Sequence, residues 1–298
     1  MKEKNRFQGH IYALITTIIW GATFISTKLL MIEFSPIEIL FFRLVLALIA
    51  LSLINPQRAI FYKLSREVLF IAAGLCGVTF FFLSQNIALS YTLASNVGVL
   101  MSVSPFFTAI LSRTLLKDHS FNTSFFLGFL VSITGIILIM FNGNFILKLS
   151  PIGDLLALLC AIAWAFYSIL MNRIVLFSPA VFPNTRKVFF YGLLFLLPVL
   201  PFSNFHLGLD RFASIPNILN MALLGLGGSA ICFLTWNLAV GILGPVSTSV
   251  YIYLIPVVTI IISAIVLNEF PTPLALAGVS LILLGLFLSE RKPSPQKT

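Results

Sequence analysis

The chain has 298 residues, 59% of them hydrophobic and only 9% charged, with a mean hydropathy of +1.07 and a net charge of +9. Soluble globular domains are about half apolar and about a quarter charged, so this composition excludes one. The positive charge is not a nucleic-acid footprint either, because its placement follows the rule for membrane topology.

A bilayer core of about 30 Å needs about 20 apolar residues as helix. Runs of that kind predict an all-α polytopic membrane protein with ten spans, near 11–30, 37–54, 68–90, 94–115, 124–142, 152–172, 187–202, 215–240, 246–267 and 273–289. The links are short and leave no room for a soluble domain, so function must sit among the helices. Runs such as Leu155 to Leu170 lack the alternation of a barrel strand. With the N-terminus inside, fourteen Lys and Arg residues fall on the cytoplasmic side: Lys2, Lys4, Arg6, Arg58, Lys63, Arg66, Arg113, Lys117, Arg173, Arg186, Lys187, Arg291, Lys292 and Lys297. Four fall outside: Lys28, Arg43, Lys148 and Arg211. Both termini are therefore expected in the cytoplasm of a multi-pass protein of the cell membrane. The first span follows Lys2, Lys4 and Arg6 as a signal peptide would, but it is long and has no A-x-A cleavage site. Cys76, Cys160 and Cys232 lie within spans and read as packing residues, with no disulfide or metal framework. Asn122, Thr123 and Ser124 match a glycosylation acceptor but fall on the cytoplasmic side.

The chain is internally duplicated. At a shift of 151 residues Gly74, Gly77, Phe82, Asn86, Ala88, Pro105 and Asp118 meet Gly225, Gly228, Phe233, Asn237, Ala239, Pro256 and Glu269. Gly128 and Gly135 meet Gly278 and Gly285 at 150, Trp20 meets Trp164 at 144, and Ser35, Pro36 and Arg43 meet Ser178, Pro179 and Arg186 at 143. Shared glycines, amides and prolines at near-constant offsets mark a repeat. Its copies are 10–142 and 152–289, each with five spans, an odd number. The second copy therefore enters the membrane upside down. Inverted copies give similar inside-open and outside-open states, hence alternating access, with the substrate near mid-membrane between them.

Paired polar positions nominate the lining. Gln85 and Asn86 in the third span correspond to Trp236 and Asn237 in the eighth; buried amides need a partner, either a neighbouring helix or a substrate. In the fourth and ninth spans Asn96, Ser102, Ser104 and Pro105 match Ser247, Tyr253, Ile255 and Pro256, with Tyr251 nearby. The interior prolines Pro105 and Pro256 are expected to kink their helices. The carbonyl freed one turn earlier, on Met101 or Ile252, is left for hydroxyls, water or a transported molecule. Trp20 in the first span, and Trp164 with Tyr167 in the sixth, could wall an amphipathic cavity or fill a core. Clustered glycines such as Gly225, Gly227 and Gly228 suit close helix approach; no Gly-Lys pair exists, so no Walker motif does. Lys28 and Arg173 lie near span ends, and Lys28 is a candidate gate or anion contact. Arg43, about two turns into its span, costs on the order of 3 kcal/mol at mid-bilayer unless it snorkels or pairs with Glu38 or Glu33. Its recurrence as Arg186 suggests a shared role as gate or anion contact, against plain anchoring.

Ala13 through Trp20, Gly21 and Lys28, then Pro36 and Arg43, resemble the start of an EamA unit of the drug/metabolite transporter superfamily. Gly153, Asp154, Trp164, Tyr167, Arg173, Pro256, Glu269 and Gly278 resemble the second unit. The resemblance implies ten helices in two inverted five-helix EamA repeats, with spans one to four and six to nine around a central cavity and spans five and ten peripheral. It also implies export of metabolites or amino acids more often than import. The chain departs from the family at Lys117, Asp118 and His119, where a glutamate is usual, and at Ala165, where a glycine is.

A membrane-embedded enzyme would need acids, bases or metal ligands at depth, but His10, His119 and His206 all fall at span ends and no H-E-x-x-H or C-x-x-C occurs. A non-transporting scaffold would not require kinked, polar-lined inverted repeats. The expected function is a secondary transporter, without catalytic residues, cofactor or metal, acting as a monomer or homodimer in the bilayer. Glu33, Glu38, Asp118, Asp154 and Glu269 all lie near span ends. That favours a facilitator or exchanger, or an off-centre proton site at Glu38 or Glu269. Amide, hydroxyl and aromatic groups with cations only toward the rims suit a small neutral or zwitterionic metabolite with an apolar part, such as an amino acid. Substrate choice is expected where the copies differ, at Gln85 against Trp236 and Ser102 against Tyr253.

Overall fold

The computed structural model describes residues 2–56, 61–92, 94–117, 123–140, 150–203, 205–267 and 272–290. Arg58, Asp118, His119, Asn122, Lys148, Glu269, the basic residues after 290 and the side chain of Asn96 lie outside the described residues. Among those described the chain is helical, without a strand. In chain order the helices are α1 (Lys2–Leu30), α2 (Pro36–Ile54), α3 (Leu64–Tyr91), α4 (94–116), α5 (Thr123–Met140), α6 (Pro151–Phe177), α7 (Val181–Phe202), α8 (Ile215–Leu243), α9 (245–267) and α10 (Pro273–Glu290). Helices α1, α2, α3, α6, α7 and α8 are long and apolar enough to cross a membrane. Large side chains such as Ile18, Leu53, Phe80, Leu127, Phe166 and Phe287 stand exposed. Only lipid can cover so much apolar surface at so little cost, and the chain is a multi-pass membrane protein.

Local chemistry sets the helix ends. Ser35 caps α2, its Oγ accepting from the Glu38 N–H while the Glu38 carboxylate accepts from the Ser35 N–H at 2.8 Å, with Pro36 in the first turn. Ser150 caps α6 by accepting from the Gly153 N–H, and Asp154 accepts from the Ser150 N–H. Helix α7 begins at Val181 rather than near 187, because Pro183 falls in a first turn that has no backbone bond to lose and Lys187 finds a buried partner.

Four departures from regular helix shape the middle of the bundle. Leu75–Phe80 in α3 and Leu223–Ile231 in α8 are π-helical; the second carries Gly225 and Gly228, and the first carries Gly77 and starts directly after Gly74. Helix α4 is interrupted at Ser102 and Val103, so Pro105 sits in the first turn of a new segment, Ser104–Leu111. Helix α9 passes through a 3₁₀ stretch, Val250–Tyr253, and Pro256 sits in the first turn of Leu254–Leu267. The expected kinks are thus segment starts, where a missing N–H costs nothing.

Helix α1 packs on α8 and α9, α6 on α3 and α4, α3 on α7, and α2 on both α7 and α8. The α5–α10 contact is the most extensive, and glycines make it. A Cβ at Gly128 would lie 2.5 Å from the Gly285 carbonyl oxygen, and one at Gly135 would lie 2.5 Å from that of Gly278. The obstruction is backbone, which cannot swing aside as a side chain can. Replacing Gly135 or Gly278 with alanine is therefore expected to destabilise the protein by about 1–3 kcal/mol. Gly98, around which nothing lies within 4 Å, should tolerate the same change. Thermal unfolding of the purified variants in detergent checks this; equal melting temperatures for Gly278→Ala and Gly98→Ala would contradict it.

Candidate functional site

Trp20, Trp164 and Trp236 come from α1, α6 and α8 and meet at the centre of the bundle. Trp20 stands edge-on to Trp164 with centroids 5.1 Å apart, and Trp236 lies 5.2 Å from Trp20 and 5.5 Å from Trp164. Phe81, Phe233 and Tyr167 complete the cluster. Trp20 is held by its polar end: its Nε1–H donates to the Gly228 carbonyl at 2.9 Å. Glycine is required at Gly77 and Gly228 because a Cβ would run into the Tyr167 ring at the first and the Thr23 methyl at the second.

Beside the cluster lies a small cavity of about 30 Å³, lined by Trp20, Thr23, Phe24, Arg43, Phe81, Phe82, Gln85, Met101, Ser104, Trp164, Ile252 and Ile255. In this state it has room for about two waters, so a larger molecule enters only as the lining side chains move apart. Both sequence copies contribute. Arg43, 2% exposed, donates from Nε to Ser229 Oγ at 3.0 Å and lays its guanidinium 3.7 Å from the Phe82 ring centroid. Gln85 Nε2 meets Met101 Sδ at 3.4 Å. Trp164 Nε1 and Ser104 Oγ are buried without a hydrogen-bond partner among the described residues.

Of the residues nominated by sequence, the cavity brings together Trp20, Gln85, Trp164 and Arg43, with Met101 and Ile252 from the turns before the prolines. Others lie elsewhere. Asn86 Nδ2 donates to the Pro36 carbonyl at 3.0 Å, tying α3 to the start of α2, while its Oδ1 has no partner among the described residues. Ser102 returns to the Gly98 carbonyl. Tyr167 donates to Asn237 Oδ1 at 2.9 Å, and Asn237 Nδ2 donates to Thr185 Oγ1 at 2.9 Å. This buried chain lies on the side of the tryptophans nearer Phe177 and Leu243. Tyr253 is fully buried with its hydroxyl unpartnered among the described residues, and Tyr251 meets His10 Nδ1 at 2.7 Å. Lys28 is exposed in a separate hollow beside Glu33, Pro36 and Leu89.

Two expectations about Arg43 are corrected. Its pairing with Glu38 or Glu33 does not occur: Glu38 accepts from Arg211 at 2.9 Å and meets His206 Nδ1 at 2.7 Å, and Arg43 has no carboxylate partner among the described residues. A cation thus lines the cavity rather than standing only at the rims. Nor do Arg43 and Arg186 occupy equivalent places. Gly225 packs against the Leu46 side chain and Arg43 carbonyl, whereas Gly74 packs against the Tyr191 side chain and Val188 carbonyl. The packing offset is therefore 145, not 143, and two residues are about 200° around a helix. Val188 stands where Arg43 does, and Arg186 turns away to donate to the Asn55 carbonyl at 2.6 Å.

Sequence reasoning missed one buried pair. Lys187 Nζ meets Glu67 Oε2 at 2.6 Å; Tyr191 and the Tyr62 N–H also donate to that carboxylate. Phe61, Tyr62 and Phe70 surround the ammonium. Lys187 deep in an apolar segment was the available signal, since only a buried acid permits it there.

The model of the EamA-like transporter family matches residues 7–141 and 151–291. An uncharacterized transporter of Archaeoglobus fulgidus is 27% identical over 288 residues, covering 95% of this chain and 97% of the relative. The YyaM transporter of Bacillus subtilis is 29% identical over 309 residues, covering 97% and 95%. A probable terminal-alkyne amino-acid exporter of Streptantibioticus cattleyicolor is 25% identical over 290 residues, covering 95% and 93%. A solved crystal structure shares the fold with a TM-score of 0.72 over 97% of both chains, at 18% identity.

The Glu67–Lys187 pair yields a prediction independent of transport. Lys187→Met leaves a buried carboxylate uncompensated and is expected to cost about 3–5 kcal/mol, most of it regained in the double variant Lys187→Met with Glu67→Leu. Denaturation in detergent measures both; a double variant no more stable than the single one would refute the buried pairing.

Proposed function

Because the chain belongs to the EamA-like transporter family, whose members are membrane transporters and not enzymes, we propose that it is a secondary transporter exporting a small amphipathic or amino-acid-like metabolite across the cell membrane by alternating access. The observation that carries this reading is the central cavity, walled by Trp20, Arg43 and Gln85 from the first sequence copy and Trp164, Ile252 and Ile255 from the second. A site shared by two copies changes accessibility when they rearrange.

In this reading ten spans form two inverted five-helix repeats. Antiparallel glycine contacts support it: Gly128 meets Gly285 and Gly135 meets Gly278, each duplicated position against its counterpart's partner. So does the matched packing, with α1 on α8 and α6 on α3, α2 on α8 and α7 on α3. With both termini in the cytoplasm, the Tyr167–Asn237–Thr185 chain and the Trp236 layer seal the cytoplasmic side, and the cavity belongs to the state facing outward. Export agrees with the name of the Streptantibioticus relative.

A thermal-shift screen of metabolites on the purified protein tests the site. A stabilising ligand should lose most of its effect in Trp20→Ala and Gln85→Ala and keep it in Asn86→Ala, whose side chain braces α2 instead. Stabilisation that survives both cavity variants would rule the cavity out. The carrier itself is read as a facilitator or exchanger, since Glu38 is held by Arg211 and the Ser35 N–H. Vesicles preloaded with the ligand should then show counterflow without lumenal acidification. Acidification in step with flux that persists in Glu38→Gln, Glu269→Gln would overturn this part.

A further inference from the structure

We propose that the transported molecule is a monocarboxylate with an apolar body, bound through its carboxylate to Arg43. The proposal rests on the cavity being the transport site. Arg43 uses Nε on Ser229 and one guanidinium face on Phe82, which leaves the Nη fork with no acceptor among the described residues. The other embedded cations are compensated: Lys187 has Glu67 at 2.6 Å and Arg211 has Glu38 at 2.9 Å. Packing does not require the charge, because the matching crossing of α7 on α3 places Val188 at that position.

The remaining polar groups of the cavity point to the same ligand chemistry. Trp164 Nε1 is a donor with no acceptor among the described residues, Ser104 Oγ has no partner, and the Gln85 amide donates only to a sulfur. The Trp20 N–H is already spent on Gly228. Among the described residues no aspartate or glutamate lines the cavity, so none offers an ammonium a counter-charge there. A planar fork, with further N–H and O–H groups among the same lining residues, fits the two oxygens of one carboxylate. A phosphate dianion would be left half-neutralised by a single cation. Trp20, Phe24, Phe81, Ile252 and Ile255 supply apolar wall for the rest of the molecule.

The chain contains three tryptophans, two lining the cavity and the third in contact with both, so selectively excited tryptophan emission reports on this site. The purified full chain in detergent is titrated with phenylacetate, hydrocinnamate, phenylalanine, phenylacetamide and phenyl phosphate. The two carboxylates should change the emission saturably, with affinities about tenfold or more above those of phenylacetamide and phenylalanine, as loss of a charge-assisted hydrogen bond implies. Arg43→Met should abolish that preference, bringing phenylacetate down to the affinity of phenylacetamide in the same variant, and Arg43→Lys should keep part of it. The proposal is overturned if phenylacetamide or phenylalanine binds as tightly as phenylacetate, if phenyl phosphate binds tightest, or if Arg43→Met keeps the preference. In the first two cases the cavity remains a ligand site of different selectivity, whereas silence of all five ligands would remove both the proposal and the site. Should Arg43→Met not fold, the panel on the unmodified protein decides alone.

Discussion

The bond from the Trp20 indole to the Gly228 carbonyl fixes the geometry on which the site depends. An indole N–H buried among apolar helices has to find an acceptor, and lipid offers none. A helical carbonyl keeps a second lone pair, but a side chain on the next residue turn usually covers it. Here a π-helical stretch widens the backbone and a glycine leaves the carbonyl bare, so α1 can press its tryptophan onto α8. Trp20 then stands edge-on to Trp164 and beside Trp236, and the cavity forms on the face those rings leave open. In α3 the π-helical stretch likewise admits a ring, Tyr167 packing against Gly77, although the Tyr167 hydroxyl bonds Asn237 rather than a backbone carbonyl.

The two sequence copies share backbone and differ in side chains where it matters. At matched helix crossings the first copy's Arg43 meets Ser229, while Val188 and Val78 occupy the corresponding places in an apolar contact region. Gln85 lines the cavity, and its counterpart Trp236 belongs to the layer that closes the other side. A single carboxylate needs a single fork, so a symmetric second arginine would only add an uncompensated charge. In the proposed reading duplication supplies the frame, and divergence at a few positions supplies selectivity.

Much of this frame is legible in the sequence because it follows local rules. Apolar run lengths gave the helices, Ser35 with Glu38 marks a capped start, and paired glycines mark helices that touch backbone to backbone. Trp20, Gln85 and Trp164 were reachable as polar or amphipathic residues deep in apolar spans. What escaped depended on distance. The Pro-x6-Arg match aligned Arg43 with Arg186, yet the connecting loops differ by two residues from the packing offset, enough to turn a side chain to the opposite face. Glu67 and Lys187 are 120 residues apart, and nothing local links them. The π-helical turns follow from tertiary crowding around glycines and leave no periodic signature.

Satisfied and unsatisfied polar groups are unevenly distributed, and that bears on mechanism. On the side nearer Phe177 and Leu243 the network is closed: Tyr167 to Asn237 to Thr185, Tyr62 to Ser178 to Asn184, and Lys187 with Tyr191 on Glu67. In the cavity the Nη groups of Arg43 and the Nε1–H of Trp164 lack acceptors among the described residues. A ligand shifts a conformational equilibrium only by what it gains in one state over the other. Opening the closed side must break bonds already made, so the compensating gain has to come from groups not yet paired. In the alternating-access reading those groups are donors that line the cavity, so an acceptor-bearing molecule is the one suited to drive the change.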